Sequence, residues 1–128
     1  MTDSDPTFER LTLLAADAVG GTFRTLPAAI RGPALGVAVH YERLPSAEVI
    51  AEGFPADILG LFSGDAYGTE LSRDLPQPPQ ILLYLQNLWE FAEKDVSIFE
   101  EEVRTTYLHE LGHYFGWDED DVAARGLE

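Results

Sequence analysis

The chain has 128 residues, 45% of them hydrophobic and 24% charged, a makeup that fits one soluble globular domain. Its 23 acidic and 8 basic residues leave a formal net charge of −15, which repels phosphate backbones and anionic lipid, so neither nucleic acid nor a membrane is expected as partner. The absence of cysteine excludes a disulfide framework and a thiolate metal site.

In chain order, residues 1–7 read as a flexible polar start and 8–128 as a single domain. No basic start followed by an unbroken apolar run marks a signal peptide, and no apolar block reaches membrane length, which together fit a reducing cytoplasm. Phe8, Leu11, Leu14, Ala15 and Ala18 recur at helical spacing, and Gly20-Gly21 is expected to end that helix. A second short helix is expected over 23–31, with Pro27 in its first turn and Gly32-Pro33 as its breaker.

The β-branched and aromatic run GVAVHYERL (36–44) reads as a strand, and the lone His40 within it as a packed or hydrogen-bonded core residue. Residues 45–55 carry a weak signal, either a short helix near 47–51 or a loop. ILGLF (58–62) is a second strand, followed by the turn-like SGDAYG (63–68) and a further extended piece near 69–71. LPQPPQ (75–80) is an extended proline-rich connection. ILLYLQ (81–86) lacks polar alternation, so it is expected to be the most buried strand, and NLWEFAEK (87–94) a short helix. No internal repeat is present, and the whole reads as one α+β domain.

The last long element carries the clearest pattern. Ser97 and Glu100 have the spacing of a capping box, and Glu100, Glu101 and Glu102 set negative charge near the positive end of a helix. Phe99, Val103, Tyr107, Leu111, Tyr114 and Phe115 form one stripe with a period of about 3.6 residues, directed at a core. Gly116 is placed to stop the helix.

This helix holds HELGH at 109–113. His109 and His113 project from one face a turn apart, so two imidazoles can reach one tetrahedral cation. One Zn²⁺ ion is the expected occupant, since nitrogen ligands suit it and sulfur is absent. Glu110 lies about 100° round the helix, outside the ligand pair but within reach of a metal-bound water, where a carboxylate can accept a proton. Fifteen residues follow His113, so the third ligand is expected in the adjacent acidic turn. Glu119 falls three residues beyond Gly116 at the third-ligand position of an HExxHxxGxx pattern, with Asp118 and Asp120 as alternatives. The same run also reads as the start of a short final helix capped by Asp118. A metzincin Met-turn is missing, because the sole methionine is Met1.

With DILGLFSG (57–64), ILLYL (81–85) and VRTTYLHELGHYFGWDEDD (103–121), the chain resembles the small bacterial zincin-like metallopeptidases known as minimal zincins. The resemblance spans roughly residues 8–128. It implies a small mixed sheet packed on helices, with the HExxH helix beneath the sheet. It further implies His109 and His113 as metal ligands, Glu110 as general base and a third ligand from the turn between Gly116 and Asp120. Aspartate is the more usual residue at that position, so Glu119 is a departure.

The leading functional reading is a zinc peptidase acting on a peptide or an extended protein segment. The alternative is a non-catalytic metal-binding or regulatory interaction domain, for which a protein partner would be the first sign. Oligomeric state is left open. Tyr41, Tyr67, Tyr84 and Arg104 are possible oxyanion donors, each with an ordinary packing or surface role as the default. On the histidine face, Thr106 is placed to support the site, and Glu102 to belong to the acidic start of the helix.

Overall fold

A threonine opens the first helix: the Thr7 hydroxyl accepts the Arg10 N–H at 3.1 Å, and α1 runs Phe8–Thr25. The computed structural model describes residues 5–67 and 77–117. Contrary to expectation, α1 continues through Gly20-Gly21. Leu11, Ala15, Val19 and Thr22 form one buried face along it, and their packing outweighs the helix cost of about 1 kcal/mol per glycine. The element that stops it is Pro27, which forces the preceding Leu26 into extended backbone (φ −65°, ψ 146°). The second helix therefore begins after Pro27, as α2 (Ala28–Ala34), and it includes the Gly32-Pro33 pair expected to break it. A helix this short has few internal bonds for Pro33 to remove.

The strands are β1 (Ala38–Glu42), β2 (Gly60–Ser63) and β3 (Gln80–Tyr84), joined in the order β1-β3-β2. β1 runs parallel to β3, whereas β2 runs antiparallel to it, so the sheet is mixed. Ile81, Leu83 and Tyr84 are buried, as the apolar run required. The strand ends at Tyr84, and Leu85 and Gln86 instead begin α4 (Leu85–Phe91) with no intervening loop. β1 alternates exposed Ala38, His40 and Glu42 with half-buried Val39 and Tyr41. His40 is thus a solvent-facing residue, contrary to its reading as core: it shares with Ala38 and Glu42 the exposed face of β1, while Val39 and Tyr41 take the half-buried one. Between β1 and β2, Ser46 caps the surface helix α3 (Ala47–Ala51), accepting the Val49 N–H at 3.2 Å. The extended piece expected near 69–71 lies outside the described residues.

The longest helix, α5 (Val96–Phe115), starts two residues earlier than the capping-box reading placed it. Asp95 is the cap, its carboxylate accepting the Ile98 N–H at 3.0 Å, and Ser97 is already helical. Glu100–Glu102 accordingly sit beyond the first turn, where the dipole effect is concentrated. Phe99, Val103, Tyr107, Leu111 and Tyr114 are buried along the anticipated stripe. They pack with Leu11 and Ala15 of α1, Ile81 and Leu83 of β3, and Leu88 and Trp89 of α4 in one core. Gly116 closes α5 in the left-handed conformation (φ 76°). Near the start of the chain, Asp5 accepts the Trp89 indole N–H and pairs with Lys94, both at 3.3 Å. Among the described residues no helix is long and apolar enough to cross a membrane.

Candidate metal centre

The last two turns of α5 bring His109, Glu110 and His113 together, each offering a ligand atom within 4.8 Å of the others'. The imidazoles of His109 and His113 lie edge to face with centroids 4.8 Å apart, and both are exposed. Glu110 is 8% exposed, turned under the sheet rather than out with the histidines. One face thus presents two ring nitrogens to solvent, and a carboxylate stands behind them. This set of nitrogen and oxygen donors suits a zinc ion, for which the two histidines are the natural ligands.

How α5 meets β2 fixes the carboxylate. Gly60 packs so closely on the helix that a Cβ there would stand 2.6 Å from Thr106 Cγ2. One turn further along α5, the Phe62 backbone N–H donates to Glu110. A turn beyond that, Tyr114 meets the Phe62 ring with centroids 5.9 Å apart. Strand and helix therefore run side by side in the same direction. Tyr84 donates its N–H to the Leu59 carbonyl at 3.0 Å, which makes that pair a bonded rung of the ladder. By alternation, Leu61 and Ser63 also turn their backbone groups to β3, while Gly60 and Phe62 turn theirs outward, toward the metal helix.

Burial pushes the Glu110 carboxyl above the ordinary carboxylate value; nearby His113 and His109 and the Phe62 N–H pull it down. The residue is thus a proton acceptor with a strengthened hold on its proton, placed beside a possible cation.

The other candidates separate. Thr106 is buried against Gly60 and supports the helix seat, while Glu102 is half-buried two turns before His109. Arg104 lines a groove against α1 with Asp17 and Glu100, away from the histidine face. Tyr41 lies near Tyr107 on the helix side of the sheet, close enough to help burial raise the Tyr107 phenol to about 12. Tyr84 is 1% exposed, and its hydroxyl has no hydrogen-bond partner among the described residues. Burial, then the charges of Glu42 and Glu110, raise its pKa. Tyr67 stands over the end of α5, its N–H donating to the Tyr114 carbonyl at 2.7 Å. Asp118, Glu119 and Asp120, and with them the short final helix expected from Asp118, lie outside the described residues.

Sequence reading missed the Phe62 N–H. A backbone donor leaves no mark in residue identity; the available hint was Gly60, since glycine inside a strand often marks close backbone approach.

A family model described as zincin-like metallopeptidase matches residues 34–127. A search of curated proteins returns no match.

Proposed function

The chain belongs to the zincin-like metallopeptidases, and on that footing we propose that it is a zinc-dependent peptidase, with Glu110 as general base. The observation that carries this reading is the grouping of His109, Glu110 and His113 within 4.8 Å, two donors exposed and the carboxylate buried. His109 and His113 would hold the metal, with Glu119, or Asp118 or Asp120 in its place, as the third ligand. Zinc held there would supply Lewis acidity, easing deprotonation of a water at neutral pH and polarisation of the carbonyl under attack.

Glu110 takes the proton of the attacking water on a carboxylate oxygen and then hands it to the departing amine. Burial favours the protonated form and so moves the group toward the pH at which it must both accept and release a proton. The Phe62 N–H holds one side of the carboxylate, leaving its remaining acceptor positions for water.

The substrate is a peptide or an extended protein segment laid along β2. Gly60 and Phe62 turn their carbonyls to that edge, which suits strand addition beside the histidines. The test is digestion of a mixed peptide library by zinc-loaded, chelator-treated and zinc-reconstituted protein. Cleavage is expected in the first, absent in the second and restored in the third at one zinc per chain. Cleavage that survives chelation, or zinc-loaded protein that binds the metal and cuts nothing, would overturn the reading; the latter result favours a metal-binding interaction domain.

A further inference from the structure

Resting on that reading, we infer that Tyr67 is the wall of a substrate subsite that takes an aromatic or large aliphatic side chain immediately before the bond cut. Tyr67 is 53% exposed, an unusual setting for a ring held in place this firmly. Its backbone is tied to the Tyr114 carbonyl, and its ring stands on Tyr114 and Phe115 at centroid distances of 5.7 and 5.3 Å. Phe115 in turn stacks on Trp117 at 4.6 Å with 15° between planes, and Tyr114 meets Phe62. Phe62 belongs to the strand that holds Glu110, and Tyr114 directly follows His113 in the chain. The shelf is therefore continuous with the metal group, fixed from beneath by the core and open at Tyr67. Aromatic faces in such a setting favour offset or edge contacts with another ring or a bulky aliphatic chain.

Direction assigns the side of the scissile bond. β2 runs toward Tyr67, alongside α5. A peptide paired with its edge in the antiparallel sense, the more stable pairing per residue, carries its amino-terminal half at the Tyr67 end. Phe62 joins the two parts: its N–H reaches Glu110 and its ring meets Tyr114, on which Tyr67 stands, so the shelf adjoins the carboxylate side of the site.

The test digests a mixed peptide library with zinc-loaded wild type, Tyr67→Ala and Tyr67→Phe, reading the residue on each side of every cut by mass spectrometry. Wild type and Tyr67→Phe should enrich aromatic and large aliphatic residues about tenfold directly before the cut, and Tyr67→Ala should lose that enrichment while still cutting. Enrichment that survives in Tyr67→Ala, or that falls only after the cut, overturns the subsite and leaves the peptidase reading intact. A parallel arm does not depend on turnover. Zinc-loaded Glu110→Gln is titrated with fluorescein-labelled peptides carrying a central Phe or Ala, followed by anisotropy. A tighter Kd for the Phe peptide, abolished by adding Tyr67→Ala, supports the subsite even if nothing is cleaved; equal Kd values overturn it.

Discussion

Replacing Gly60 with alanine tests how the sheet seats the metal helix. The new methyl would stand 2.6 Å from Thr106 Cγ2, 3.1 Å from the Leu82 carbonyl oxygen and 3.4 Å from Leu83 Cδ2. Carbon atoms in contact prefer about 3.5–4.0 Å, so Thr106 must give way by roughly 1 Å. Overpacking of this kind costs about 1–3 kcal/mol, against about 0.5–1 kcal/mol recovered by replacing glycine within a strand. A net loss of about 1–2 kcal/mol is expected. Thr106→Ser removes the offending methyl; alone it should cost about 1 kcal/mol, because it deletes a buried group. In the double variant the added methyl fills the space vacated, so the two losses should fall short of additive by about 1 kcal/mol or more. The Leu82 contact is to backbone and will leave a residual loss. The assay is urea denaturation of all four metal-free proteins, comparing midpoints at constant slope. Strict additivity, or a neutral Gly60→Ala, would refute the close seat of α5 on β2.

The cap of α5 should behave as the geometry dictates: Asp95→Ala costs about 1 kcal/mol in denaturation experiments, while Ser97→Ala costs a small fraction of that. The Tyr107 phenol is pushed up to about 12 from its ordinary 10.0, chiefly by burial. An acid with a raised folded pKa stabilises the fold below its unfolded value and loses that contribution as pH rises through the folded one. Stability should therefore fall by roughly 2–3 kcal/mol between pH 10 and 12, and Tyr107→Phe should flatten that window. Glu110 follows the same sign in the metal-free protein. Its pKa is raised from the ordinary 4.5 by burial, so stability should decline as pH climbs above that value, and a pH series of melting temperatures should show the slope reduced in Glu110→Gln.

The parts of the fold that were legible in the residues are those where local pattern and tertiary packing agree. The stripe from Phe99 to Tyr114 announced α5, and Gly116 marked its end, because a long amphipathic helix repeats its signal at every turn. Gly20-Gly21 misled because a buried face on both sides of the pair held α1 together, while the true stop was the extended backbone that Pro27 imposes on Leu26. Ser97 fitted a capping pattern, but Asp95, two residues earlier, had the geometry to take the Ile98 N–H. The exposure of His40 was readable after all, in its alternation with Val39 and Tyr41. At the metal centre, helical spacing alone brought His109, Glu110 and His113 together. What spacing lacked was the strand: that Phe62 donates to Glu110, and that Tyr67 stands on Tyr114, follow from a register no local pattern encodes.

The central claim is that Glu110 works as the base beside a metal held by His109 and His113. Its most direct test compares wild type and Glu110→Gln at equal, measured zinc occupancy on the same peptide substrates. Glutamine keeps the shape and the acceptor for the Phe62 N–H but cannot take a proton, so zinc should bind both proteins alike. Turnover should fall by a factor of about 10²–10⁴ in the variant. Equal turnover in the two proteins at equal occupancy would contradict the account.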